Sequence, residues 1–240
     1  MNIAIIPARG GSKRIPRKNI RPFCGKPMLA WAIDTALACE CIEQVIVSTD
    51  DEEIAEVARQ YGAQVPFMRP TSLADDHTGT VAVVRHALEW LLQDGMAIDY
   101  CCCLYATSPL LEANDLNKSL AQLQQQPELD FIFSAARFGF PIQRALLQQD
   151  DGGVIPFDPN SIGKRSQDLP PAFHDAGQFY WGLASAFLDR QKRIFSPSSR
   201  LYLLPAHRVQ DIDDEEDWRR AELLKQLLLQ ESADARSDPR

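Results

Sequence analysis

No apolar run in this chain approaches the roughly 20 residues that a membrane-spanning helix needs. Nor does the start, Met1 into the short run "NIAIIP", carry a basic segment followed by an apolar stretch of secretory length, and a cytoplasmic location is expected. Positive charge is also in short supply: 25 Lys and Arg against 33 Asp and Glu give a formal net charge of -8. That balance speaks against a general nucleic-acid or membrane-surface binder, because both rely on broad positive fields. The cysteines are badly spaced for metal. Cys39 and Cys41 stand as "CEC", without the paired spacing of a zinc site, and Cys101, Cys102 and Cys103 are consecutive where a strand points alternate side chains to opposite faces. They are expected to be small buried hydrophobes. Absent too are the Walker A pattern, the dinucleotide G-x-G-x-x-G and the G-x-S-x-G nucleophile elbow. Kinase, GTPase, dehydrogenase and serine-hydrolase readings lose their support there.

What is present is the make-up of an ordinary folded domain, 45% hydrophobic and 24% charged over 240 residues. Strand-like runs "NIAIIP", "QVIVST", "AQVPFM", "DYCCCLYA" and "DFIFSA" are separated by the helical patterns "PMLAWAIDTALAC", "DEEIAEVARQYG", "TVAVVRHALEWLLQDG" and "LEANDLNKSLAQLQQ". This order predicts right-handed βαβ units and a mainly parallel sheet with helices on both faces. The second helix is predicted with a capping box of Thr49 and Glu52, an apolar stripe of Ile54, Val57, Ala58 and Tyr61, and a stop at Gly62. Beyond Arg137 the periodicity lapses into a proline-rich stretch whose Phe138, Phe140, Ile142, Leu146, Leu147, Val154 and Ile155 are too apolar for a disordered linker. Residues 138–176 therefore read as an insertion that packs on something, such as another subunit. "GQFYWGLA" and "LYLLP" read as further strands, and a last helix from near Glu215 carries Trp218, Ala221, Leu224 and Leu228 on one side. One domain is expected over 1–230, then a disordered tail, 231–240.

The one concentration of positive charge is "ARGGSKRIPRKN", Ala8 to Asn19, with Arg9, Lys13, Arg14, Arg17 and Lys18. It leaves the C-terminal end of the first predicted strand, where open α/β sheets bind ligands. Gly10, Gly11 and Ser12 let the backbone turn its N–H groups toward an anion, and the cations around them can neutralise several phosphates. A solvated turn is the plain alternative, but the position after the first strand favours a triphosphate. The counterpart is "VQDIDDEEDW". Acids from Asp214 to Asp217 are accounted for by the positive N-terminus of the following helix. Asp211 is not. If residues 209–213 are extended, Asp211 and Asp213 share a face with Ile212 turned to the core, and two carboxylates so placed can hold a hard cation such as Mg2+.

Taken together, "IPARGGSKRIPRKNI", "VIVSTDDEEIAEVARQYGAQVPFMRP", "TSPL" and "DIDDEED", spread in that order from Ile3 to about Leu228, resemble the CMP-sialic acid synthetase (acylneuraminate cytidylyltransferase) family. The resemblance implies a Rossmann-like α/β fold of the nucleotide-diphospho-sugar transferase type, and a homodimer whose irregular insertion completes the partner's active site. It implies Mg2+-dependent reaction of CTP with a nine-carbon 2-keto sugar acid, the anomeric hydroxyl attacking the α-phosphorus in line with release of pyrophosphate. Arg9 and Lys18 match the family's catalytic phosphate contacts. Ala8, Gly10, Gly11, Ser12, Lys13, Asn19 and Arg69 match nucleotide-binding positions, and Asp211 and Asp213 match the metal pair.

Where sialic acid members show "LQPTSPL" and "RPNGAIY", this chain has "LYATSPL" and "HDAGQFY". The resemblance is therefore nearer to the branch that activates pseudaminic acid, for surface glycosylation, than to the N-acetylneuraminate, legionaminate or Kdo branches. On the sugar side it implicates Tyr105, Arg165, His174, Gln178 and Tyr180, with Arg165 suited to grip a carboxylate bidentately. No separate general base is visible. A catalytically silent nucleotide sensor would have no need of the metal pair. A phosphatase of the haloacid dehalogenase type would want D-x-D at the end of the first strand, where "IPARGG" stands.

Overall fold

In the first strand, β1 (Asn2–Pro7), Ile3 and Ile5 turn to one face and Ala4 and Ile6 to the other, and all four are fully buried. A strand apolar on both sides has to be covered on both sides. The structure, a computed structural model, describes residues 1–237 and meets that demand with helices on each face of a six-stranded sheet. The other strands are β2 (Gln44–Ser48), β3 (Tyr100–Leu104), β4 (Phe131–Arg137), β5 (Phe173–Leu183) and β6 (Ser199–Leu203), in the order β6-β4-β5-β3-β1-β2. β1 runs parallel to β2 and β3, and β6 parallel to β4. Only β5 is reversed, antiparallel to both of its neighbours.

α1 (Met28–Leu37), α2 (Glu52–Gln60) and α4 (Ala113–Gln124) pack on the face of Ala4 and Ile6, whereas α3 (Thr80–Gln93) and α5 (Ala184–Leu188) cover Ile3 and Ile5. The three cysteines of β3 obey the alternation: Cys101 and Cys103 face α3, and Cys102 faces the opposite layer. Among the described residues, no helix is long and apolar enough to cross a membrane.

Three local expectations are corrected. The cap of α2 is Asp51, which accepts from the Ile54 amide at 3.0 Å, while Thr49 Oγ1 accepts from the Asp51 amide at 3.1 Å one step earlier. A carboxylate one residue before the helix reaches its free amides directly, and the two acids after it favour the same start. "AQVPFM" gives only an isolated bridge of Gln64 beside Ile46, because Pro66 has no amide to continue a ladder. The last helix, α6 (Glu215–Ser237), runs past residue 230 into the expected tail, which holds no glycine and no proline before Pro239. Residues 238–240 lie outside the described residues.

Candidate active site

Apolar side chains, not charges, bring the basic loop and the acidic turn together. Ile15, inside the basic loop, and Ile212, between the two aspartates, are buried in one cluster with Phe23, Met28, Trp218 and Ala221. The rings of Phe23 and Trp218 meet edge to face at 5.3 Å, and Arg21 lies over Trp218 while its guanidinium pairs with Glu215. With Ile15 and Ile212 fixed inward, the flanking polar residues are forced outward into the same space. There the Lys18 ammonium donates to the Ile212 carbonyl at 2.7 Å and the Arg14 guanidinium pairs with Asp213 at 2.7 Å.

A cavity of about 430 Å³ opens at the C-terminal ends of β1 and β3, lined by Arg9, Ser12, Lys13, Arg14, Lys18, Asn19, Asp76 and Tyr105. Four of the five loop cations line it. The fifth, Arg17, turns away to Asp51 and Glu53 at the start of α2 and takes a left-handed backbone (φ 55°) that closes the turn. Arg9 and Lys13 share one partner, the carboxylate of Asp76, the Arg9 contact being 2.5 Å. The paired hydrogen bonds from Lys13 and Arg9 pull the Asp76 carboxyl down to about 2. Burial pushes the Lys18 ammonium below its ordinary value, against the opposing pull of Asp213 and Asp211. Asp211 moves the other way: loss of solvent first, then the neighbouring Asp213 charge, raises its carboxyl.

The glycine turn is tighter than an open anion nest. The Gly10 amide donates to Asp50 at 3.1 Å and the Ser12 amide to the Gly10 carbonyl at 3.0 Å, so only the Gly11 amide has no partner among the described residues. The expectation that all three amides face an anion is corrected accordingly. Gly10 is required by close approach, since a Cβ there would lie 2.6 Å from Asp51 Oδ2. Ala8 anchors the loop through its amide to the Ser48 carbonyl at 3.0 Å, and the Asn19 side-chain amide donates to the Arg9 carbonyl at 2.9 Å.

Beside this cavity lies a smaller one of about 190 Å³ that shares Arg9, Asp76 and Tyr105 with it and adds Arg69, Leu73, Thr78 and Thr80. Arg69 is buried, bonded to the carbonyls of Ser48 and Leu73, and its Nε has no partner. Burial pushes its guanidinium down to about 10, which leaves it a cation at neutral pH.

The residues expected at the sugar end are dispersed. Tyr105 lines both cavities and its ring meets Tyr180 edge to face at 5.6 Å. Gln178 is buried and donates to the Arg208 carbonyl at 2.6 Å, so it braces the turn that leads to Asp211. His174 stacks edge to face on Phe138 at 5.0 Å, outside the cavity, and Arg165 is exposed and paired with Asp168 at 2.8 Å. Reading by sequence missed Asp76 and the buried, bidentate Arg208–Asp115 pair (2.6 and 3.1 Å) that holds the same turn. For Asp76 a signal existed, a second acidic pair in "ADDHTGT"; for the ion pair none did.

Comparison with known proteins agrees with this geometry. The cytidylyltransferase family profile matches residues 3–231. Pseudaminic acid cytidylyltransferase of Campylobacter jejuni (strain 81-176) is 45% identical over 223 residues, 93% of this chain and 95% of the relative. CMP-N,N'-diacetyllegionaminic acid synthase of Legionella pneumophila is 31% identical over 94% of this chain and 96% of its own. Among solved structures, CMP:2-keto-3-deoxy-manno-octonic acid synthetase complexed with CTP superposes with a TM-score of 0.68 at 18% identity, covering 96% of this chain and 99% of that one, a likeness of fold. The basic loop, the acidic turn and the sheet that carries them thus place this chain in the cytidylyltransferase family.

Proposed function

We propose that this chain activates pseudaminic acid, converting CTP and the sugar acid to the CMP-sugar and pyrophosphate. The observation that carries the proposal is the convergence of Arg9, Lys13, Arg14 and Lys18 on one cavity at the strand ends, with Asp213 paired to Arg14 and both Asp211 and Asp213 beside Lys18. Transfer of a nucleotidyl group asks for positioning and charge neutralisation more than covalent chemistry. Arg9 and Lys18 would hold the developing negative charge on the α-phosphate and the departing pyrophosphate, with Lys13, Ser12 and the Gly11 amide along the chain of phosphates. The small cavity suits the base. Arg69, buried with a spare N–H, can donate to a pyrimidine carbonyl or ring nitrogen there.

Asp211 and Asp213 would hold Mg2+. Among the described residues Asp211 has no cation bonded to it and no third acidic ligand joins the pair, and its carboxyl is raised by burial and then by the neighbouring Asp213. That donor set fits an ion that binds through one or two carboxylates and completes its shell with water and substrate phosphates. When bound, it would neutralise phosphate oxygens and lower the pKa of the attacking hydroxyl. Identity of 45% with the Campylobacter enzyme supports pseudaminate over its stereoisomers. The apolar, outward-facing insertion supports a homodimer, and a reaction that consumes CTP supports a cytoplasmic enzyme.

The test is pyrophosphate release with CTP and Mg2+, comparing pseudaminate, legionaminate, N-acetylneuraminate and Kdo. Release with pseudaminate at a kcat/KM well above the others is expected. Preference for another sugar acid would overturn the acceptor, and silence with all four would overturn the activity.

A further inference from the structure

Cys39 and Cys41 sit in a tight turn just past the end of α1, closed by the Ile42 amide, which donates to the Cys39 carbonyl at 3.3 Å. Such a turn holds residues two apart closer than an extended chain would, within the range of about 4.4–6.8 Å between Cα atoms that a disulfide spans. Their sulfurs are already in contact at 3.2 Å. All six cysteines are free thiols, and among the described residues no other two share a hydrogen bond. Cys101, Cys102 and Cys103 are sealed inside the sheet, whereas Cys39 is buried beside a half-exposed Cys41, through which the pair reaches the surface.

Asn117, on α4, sets the order of protons in the pair. One atom of its amide accepts from the Cys41 backbone N–H at 3.2 Å, which identifies that atom as the oxygen, and the same oxygen accepts from the Cys39 thiol at 3.0 Å. With the single Cys39 proton given to Asn117, the contact between the sulfurs is donated by Cys41. Its other acceptor, the Leu116 carbonyl, is farther off at 4.0 Å. Cys39 is therefore the accepting sulfur, and as a thiolate it keeps the Cys41 donor. That hydrogen bond, with the amides of Cys41 and Ile42, outweighs burial and holds the Cys39 thiol below its ordinary value, while the same bond raises Cys41. An acidic thiol in contact with a second, protonated one is the arrangement of an attacking and a resolving cysteine.

We propose that Cys39 and Cys41 are a modification site for hydroperoxides, Cys39 attacking and Cys41 resolving, which closes to a reversible disulfide. The Cys39 thiolate attacks one peroxide oxygen, the O–O bond breaks, the other oxygen leaves as hydroxide, and the sulfur becomes a sulfenic acid. The Cys41 sulfur then attacks the Cys39 sulfur, the S–O bond breaks, and the oxygen leaves as water with the Cys41 proton. The Cys39 proton neutralises the hydroxide, so two thiols and one hydrogen peroxide give one disulfide and two waters. In the disulfide Cys39 has no proton for Asn117, and only the Cys41 amide still ties the end of α1 to α4 there. Neither cysteine lines either cavity, and the inference stands apart from the functional reading above.

The experiment treats the reduced full-length protein with hydrogen peroxide and reads its intact mass, its thiol count and its fragment masses. The wild type is expected to lose about 2 Da and two of its six thiols, both regained with dithiothreitol. Cleavage of the denatured chain after Glu40 parts the two cysteines, so that only a bond between their sulfurs keeps those fragments joined. Cys41→Ser, left without a resolving sulfur, is expected to stop at a sulfenic acid on Cys39 that dimedone captures, and Cys39→Ser to yield none on Cys41. A full thiol count after peroxide, a bridge from either cysteine to Cys24 or Cys102 in place of the other, or dimedone on Cys41 of Cys39→Ser as readily as on Cys39 of Cys41→Ser would each overturn the inference. Melting curves check folding. If Cys39→Ser does not fold, the fragment masses of the wild type together with Cys41→Ser decide the matter.

Discussion

Lys18 donates from its ammonium to the carbonyl of Ile212 at 2.7 Å, 194 residues further along the chain, with Asp211 and Asp213 flanking the acceptor. The bond fixes a partly desolvated cation beside a pair of acids, and burial of these groups carries an electrostatic cost.

Asp211 shows the sign of that cost. Its carboxyl is raised, so the fold binds its proton more tightly than the unfolded chain does. The stabilising contribution is complete below about pH 4 and is lost as pH climbs through the raised value, leaving a penalty at neutral pH. Asp211→Asn is therefore expected to raise the melting temperature of the free enzyme by about 1 °C, small because the residue keeps an exposed side on which solvent screens the charge. Turnover should fall by more than about a hundred-fold. Differential scanning fluorimetry beside pyrophosphate release reads both, and wild-type turnover would remove the metal assignment.

Asp76 occupies two of the cations that the proposed reaction assigns to the phosphates, Arg9 and Lys13. Its carboxyl is depressed to about 2, so its contribution to stability is present above the usual carboxylate value and is lost only as pH falls toward 2. At working pH the clamp on Arg9 and Lys13 is closed. Asp76→Asn should open it and tighten pyrophosphate binding about three- to ten-fold at low ionic strength, the gain shrinking as salt is added. Isothermal titration of pyrophosphate into both proteins measures this. Weaker binding by the variant would mean that the carboxylate positions the cations for substrate instead of competing with it.

The two glycines of the basic loop should respond differently. A Cβ on Gly10 would strike Asp51, which caps α2 and pairs with Arg17, whereas a Cβ on Gly11 meets nothing within 4 Å. Gly10→Ala is expected to cost about 1–2 kcal/mol, the worth of a cap, and to lower the melting temperature by about 2–6 °C. Gly11→Ala should stay within about 1 °C of wild type. Equal melting temperatures for the two variants would contradict the close approach of Gly10 to α2.

Much of this site could be read from sequence because it runs against the grain of the chain. A run of cations in an acidic protein is conspicuous, and Ile15 and Ile212 are single apolar residues inside charged segments, each obliged to turn inward. The alternating elements gave the layering for the same reason: periods of 2 and 3.6 are local. The reversal of β5 was not legible, since a strand's hydrophobic pattern is the same in either direction. Nor were Asp76, Thr80 and Ser134, polar residues that meet their partners only through tertiary structure, or the turning of Gln178 into the core. Arg165 and His174 were placed by resemblance at a sugar site that the folded single chain does not bring them to.

Their position makes sense if the site is shared. Phe140 is 87% exposed and Leu146 64%, and Val154, Phe157 and Ile162 are likewise exposed on the same insertion that carries Arg165. Such exposure calls for a partner. Light scattering is expected to show a dimer, and Leu146→Asp with Val154→Asp to show a folded monomer of much reduced turnover. The sharper measurement mixes two inactive proteins, Arg165→Ala and Asp211→Asn. If Arg165 serves the partner's cavity, a mixed dimer has one complete site, built on the Asp211 of one subunit and the Arg165 of the other. Random reassortment makes about half of the dimers mixed, each with one of two sites intact, so about a quarter of wild-type activity should return. No recovery after verified exchange of subunits would place Arg165 in its own subunit's site, or in none.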